Sequence, residues 1–136
     1  MRTFVLIGYN KGMNKLFEKL ECVCIHTKDM EKSLSFYTLM GLTEHWKIER
    51  VLENGFTWTL IGLKFPHENS SELVLSNHPD NTFTEVEILV EDVRQVHTEL
   101  SNNEEIQWIR TPFATESGHI AVMEAPDGNV FVLVGR

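Results

Sequence analysis

Residues 20–30 read L-E-C-V-C-I-H-T-K-D-M, and residues 83–93 read F-T-E-V-E-I-L-V-E-D-V. The two stretches align at an offset of 63 residues: Val23 with Val86, Ile25 with Ile88, Asp29 with Asp92 and Met30 with Val93. Self-similarity at one long spacing marks two copies of one supersecondary unit. Each copy alternates and then meets an aspartate that can cap a helix.

In the first copy, Val23 and Ile25 face one way along Glu21 to Thr27, while Cys22, Cys24 and His26 face the other. A helix is predicted from Asp29, striped by Met30, Leu34 and Tyr37 at i, i+4, i+7 and stopped by Gly41. Three strands are expected next, at Thr43 to Arg50, Gly55 to Leu63 and Glu72 to Ser76. Glu53-Asn54-Gly55 and the polar run from Pro66 to Ser71 separate them. The second copy repeats the order. Val86, Ile88 and Val90 share one face of Thr84 to Val90, with Glu85, Glu87 and Leu89 on the other. Val93, Val96 and Leu100 stripe the second helix. Strands are expected near Ile106 to Arg110, His119 to Glu124 and Val130 to Val134, the last two joined by a turn at Ala125-Pro126-Asp127-Gly128. Residues 1–19 stand outside the repeat as an N-terminal extension, with Thr3 to Ile7 as a short strand and Asn10 to Asn14 as a loop. Residues 20–136 then make one domain of two units, 20–77 and 82–134.

The strand face with Val23 and Ile25 should pack on the helix. The opposite face carries Cys22, Cys24, His26, Glu85 and Glu87, which is poor material for a dry core. That face is expected to line a cup open to water or a ligand.

The bulk numbers bound the function. The chain has 136 residues, 42% of them hydrophobic, enough for an ordinary core. A net charge of -8 and a pI near 5.2 argue against nucleic acid, whose binding rests on Lys and Arg neutralising phosphates. No apolar run approaches the ~18 residues of a membrane span, and Phe4 to Ile7 is too short for a signal segment. A cytoplasmic protein is expected. On a strand, Cys22 and Cys24 would point the same way about 7 Å apart. A disulfide needs Cβ atoms about 3.8 Å apart, so two free thiols are expected.

The two βαβββ units, Phe36-Tyr37 and Gly41-Leu42 at the end of the first helix, Glu72-Leu73, and Ala125-Pro126-Asp127-Gly128-Asn129 before the last strand resemble the vicinal oxygen chelate superfamily. That superfamily includes glyoxalase I, extradiol dioxygenases, fosfomycin resistance enzymes and bleomycin resistance proteins. The resemblance covers roughly Leu20 to Val134. It implies an α+β fold, two βαβββ units forming a cupped mixed sheet, and a homodimer. Many of its enzymes hold a divalent metal through His or Gln, Glu, His and Glu. Those positions fall here on Cys22, Glu72, Glu85 and Val132. Only Glu72 keeps the usual type, and valine offers no donor. Cys22, Glu72 and Glu85, with His26 nearby, still leave a three-ligand site conceivable. A thiolate among carboxylates is a mixed soft and hard set, and no resident metal or other cofactor is expected.

Trp46, Trp58 and Trp108 sit on three predicted strands, and Phe56 shares a face with Trp58. Rings beside Glu72, Glu85 and Glu87 would make a pocket for a planar or cationic molecule, and rings filling the core are the plainer alternative. The expected function is binding of a small cationic or aromatic molecule, similar to bleomycin-type sequestration. The ligand-binding residues would be Cys22, Cys24, His26, Trp46, Trp58, Glu72, Glu85, Glu87 and Trp108. The alternatives are a metal-dependent lyase or isomerase like glyoxalase I, a fosfomycin-type transferase, or an interaction module with an unused cup.

Overall fold

Two aspartates start the two helices, as the offset repeat requires. In the computed structural model, which describes residues 16–136, Asp29 caps the first helix by accepting the Lys32 N–H at 3.1 Å. Asp92 caps the second by accepting from the Arg94 and Gln95 N–H groups at 3.0 and 3.1 Å. The chain runs β1 (Lys19–His26), α1 (Met30–Leu39), β2 (Thr43–Val51), β3 (Thr57–Lys64) and β4 (Glu72–Ser76). It then repeats as β5 (Glu85–Leu89), α2 (Val93–Leu100), β6 (Gln107–Thr115), β7 (Gly118–Glu124) and β8 (Val130–Gly135). The fold is α+β, two βαβββ units with mixed strand pairing, as expected. The strand and loop read at Thr3–Ile7 and Asn10–Asn14 lie outside the described residues.

The contacts divide the described residues into two bodies, 20–87 and the remainder. In the first, the strands lie in the order β2-β3-β4-β1. β1 and β4 are parallel, with Cys22 opposite Glu72, Cys24 opposite Val74 and His26 opposite Ser76. The other pairs, β2 with β3 and β3 with β4, are antiparallel. One face of this sheet meets α1. Ile61, Leu63 and Leu75 are buried there, packed with Ile25, Leu73 and the helix stripe Met30, Leu34 and Tyr37. The chain leaves α1 through Gly41, whose φ of 107° is open to glycine and strained for other residues. The Gly41 and Leu42 N–H groups then bond back to Thr38 O and Tyr37 O.

In the second body, β8-β7-β6 form an antiparallel set. Val93, Val96 and Leu100 of α2 are buried against Ala121, Met123 and Leu133. β6 is longer than the sequence suggested, running through Pro112 to Thr115. It slips register twice, and it is the last strand of its set, where a missing N–H breaks no ladder. β3 likewise begins two residues later than expected. Phe56 therefore lies before the strand, where its carbonyl accepts from Leu52 N, and it does not share a strand face with Trp58.

Candidate functional site

The face of the first body turned away from α1 is built from alternate residues of each strand. Cys22 and Cys24 are buried there with Val74, packed by Trp46 and Leu60. Around this small apolar patch stand the polar groups read from the sequence.

Glu72 is the anchor at one end. Trp46 Nε1 donates to its Oε1 at 2.7 Å, and His45 Nδ1 donates to Oε2. His45 and Trp46 are consecutive, so in a regular strand they would point to opposite faces. The β2–β3 register slips between Glu44 and Trp46, which leaves His45 as the extra residue of a bulge and turns both side chains toward one carboxylate. Strand β3 lies between β2 and β4, so the indole must cross it. It does so over Gly62, where a Cβ would stand 2.2 Å from Trp46 Cε2 and Nε1. Glycine in a strand interior marks such a close approach. Neither His45 nor Gly62 was singled out from the sequence, although a lone glycine inside an apolar strand was the available signal.

Glu87 accepts a hydrogen bond from the Cys22 thiol. Burial raises Glu87 to about 6; the Cys22 bond opposes this, and the nearby Glu85 and Glu21 add to it. Burial, then the Glu85 and Glu87 charges, push the Cys24 thiol up to about 12; burial, then Glu87, push Cys22 further. Both cysteines are free, buried and protonated at neutral pH, so neither supplies a thiolate nucleophile. Glu85 accepts from Asn81 Nδ2 at 2.8 Å.

Trp58 occupies the opposite end. Its Nε1 donates to Ser76 Oγ at 2.9 Å, Arg50 lies over its ring at 4.8 Å, and His78 meets it edge-on at 4.7 Å. His26 does not present Nε2 to a ligand. That nitrogen donates to the His78 carbonyl at 2.9 Å, so His26 holds the 77–81 loop. Trp108 belongs to the second body. It packs on the α2 core of the second body, edge-on to His97 at 4.6 Å, and so belongs to the helix side of its own unit.

Solved structures share this architecture over most of the chain. Methylmalonyl-CoA epimerase from Mycobacterium tuberculosis superposes with a TM-score of 0.69 at 14% identity, over 90% of this chain and 90% of that one. A hypothetical protein from Bacillus halodurans C-125 gives 0.65 at 17% identity, over 87% and 94%. A catechol 2,3-dioxygenase gives 0.58 at 18%, over 84% of this chain and 42% of its own. The chain has the vicinal oxygen chelate fold. No family model and no curated protein matches the sequence, and at these identities the likeness establishes the fold.

Within the vicinal oxygen chelate fold, the four positions carried over for a metal are Cys22, Glu72, Glu85 and Val132. They do not fit one. Both Glu72 oxygens are already bonded, Cys22 is a protonated thiol tied to Glu87, Glu85 is bonded to Asn81, and Val132 has no donor atom. Among the described residues, no three His, Cys, Asp or Glu side chains converge in a metal-holding group. None of the helices described is long and apolar enough to cross a membrane.

Proposed function

We propose that the open strand face of the first body, residues 20–87, binds a small cationic or aromatic molecule by non-covalent contacts, with no metal taking part. One observation carries the reading. Glu72, Glu85 and Glu87 stand around one strand face, and Glu85 and Glu87 are bonded by neutral donors, an amide and a thiol. Those bonds orient the carboxylates and themselves supply no countercharge. Trp46, fixed between Gly62 and Glu72, supplies an aromatic surface next to that charge. A cation there gains Coulomb attraction and ring contact, each worth roughly 0.5–2 kcal/mol when partly desolvated. Less the cost of immobilising the ligand, the affinity falls in the micromolar range.

The resemblance to bleomycin-type sequestration proteins supports this reading, with a cytoplasmic homodimer as the working form. The runner-up, a metal-dependent lyase, isomerase or transferase, needs a donor set that the four carried-over positions lack. The test is a tryptophan-fluorescence titration against cationic aromatic compounds, glycopeptide antibiotics among them. Binding should weaken about tenfold in Glu85→Gln, while neutral aromatics are unaffected. If no compound binds below about a millimolar, or if binding ignores Glu85→Gln, the reading fails.

A further inference from the structure

The second body carries a strand face of a different kind. Ala121, Met123 and Leu133 point to α2, so Ile120, Val122, Val132 and Val134 point the other way. They form two cross-strand pairs, Val122 with Val132 and Ile120 with Val134. An antiparallel sheet with one face on its core ordinarily shows polar side chains on the other. Here four aliphatic residues stand together, Val132 buried and the rest half-buried. A contiguous apolar patch that water can still reach marks an interaction site.

Strand β6 completes this face by breaking its own alternation. Trp108 is opposite Met123, on the α2 side, and in a regular strand Arg110 would follow it there. The register slips between Trp108 and Arg110, and again between Arg110 and Phe113. The first slip places Arg110 opposite Val122 and the second places Phe113 opposite Ile120, so both stand on the open face. The Arg110 guanidinium then lies over the Phe113 ring, 4.2 Å from its centroid. Residues three apart in a regular strand fall on opposite faces and do not meet. Arg110 is exposed, and no carboxylate among the described residues bonds to it, in a chain with 20 acidic residues and 12 basic ones. Glu124, the acid on the same face of β7, lies two residues beyond Val122 and makes no ion pair with it. A guanidinium stacked on a ring keeps the edge of its fork free for a bidentate acceptor.

The face thus joins one cation to an aliphatic floor. From Phe113 across Ile120 to Val134 is two strand spacings, about 10 Å, and from Ile120 to Val122 is about 7 Å. We propose that the open face of the second body binds a monocarboxylate whose apolar body has about eight to ten carbon atoms, the size this floor covers. Arg110 takes the carboxylate, and the apolar body lies on Phe113, Ile120, Val122, Val132 and Val134. The inference goes beyond the cation reading of the first body and does not depend on it.

The probe is octanoate, followed by the Ile120 δ1-methyl resonance in 1H–13C spectra and by calorimetry. The resonance is assigned with Ile120→Val. Octanoate should shift that resonance and bind about tenfold more weakly, or worse, to Arg110→Gln. 1-Octanol should bind the native chain about as weakly as octanoate binds Arg110→Gln, and should be indifferent to that substitution. From hexanoate to decanoate, each added methylene should tighten binding about two- to fourfold. Val122→Thr is the second variant, and it should weaken octanoate and octanol alike by about threefold. Octanoate that leaves the Ile120 resonance in place at about ten millimolar, or binds Arg110→Gln as well as the native chain, overturns the proposal. Octanol binding the native chain as tightly as octanoate overturns it too. The cation reading is judged separately, by Glu85→Gln with purely cationic probes.

Discussion

Replacing Gly62 with alanine should damage the site from a residue that carries no chemistry. The new Cβ would stand 2.2 Å from Trp46 Cε2 and Nε1 and 2.7 Å from Cζ2, more than an ångström inside ordinary contact. The contacting atoms belong to a rigid ring, so the indole must leave as a body. It then loses its 2.7 Å bond to Glu72, a hydrogen bond to a charged group worth about 1.5–3 kcal/mol. Overpacking adds about 1–3 kcal/mol, and alanine returns roughly 0.5–1 through lower chain entropy. The net expectation is a loss of about 1.5–5.5 kcal/mol. In a Trp46→Ala background the clash and the bond are both absent, so Gly62→Ala should be neutral or slightly stabilising. Urea unfolding followed by far-UV circular dichroism, which does not depend on the lost tryptophan, gives the four corners of this cycle. A coupling near 3 kcal/mol is expected. Equal costs of Gly62→Ala in both backgrounds would refute the stacked geometry.

Further consequences concern protons, thiols and caps. Glu87 titrates near 6 in the folded chain against an ordinary 4.5, so the folded state is penalised once the carboxyl must ionise. Its contribution to stability is intact below about pH 4.5 and is lost as pH rises through 6. Glu87→Gln should therefore gain about 2 kcal/mol on the native chain between pH 4 and pH 7, and a pH-independent difference in urea midpoints would contradict this. Both thiols should resist alkylation by iodoacetamide at pH 8 until the chain unfolds, since burial and the neighbouring Glu87 charge keep them protonated; mass spectrometry showing rapid native modification would count against the assignment. Asp92→Ala should cost about 1–2 kcal/mol and more than Asp29→Ala, because Asp92 accepts two N–H groups and caps a helix with three buried residues. Thermal unfolding of the two variants decides the order.

The caps, the helix stripes and the strand faces were legible in the sequence because they depend on near neighbours. Asp29, Asp92, Gly41 and the alternation around Val23 and Val86 act within a few residues, and the 63-residue repeat made each signal count twice. The site was legible only in part. Cys22, Cys24, Glu85 and Glu87 were placed on the open face by alternation, Glu72 came from the family resemblance, and Trp46 was placed only on a strand. Their partners could not be read. The bond from Trp46 to Glu72 spans 26 residues and two strand spacings, and it depends on the gap that Gly62 leaves. His45 joins only because a bulge turns it over, and a one-residue slip in register has no clear sequence mark. Alternation put His26 on the right face but did not show that its Nε2 holds a loop. Trp108 was assigned to a pocket on residue type alone, and it packs on the α2 core instead.

The central claim is that the carboxylates and rings of this face bind a ligand as they stand, without a metal. The direct measurement is calorimetric titration of the tightest cationic aromatic compound into protein treated with chelator, and again after adding zinc, nickel or manganese at one equivalent. The account predicts the same micromolar affinity in every case, reduced about tenfold by Glu85→Gln. Binding that appears only with metal, and disappears in Glu72→Ala together with one bound ion per chain, would contradict it.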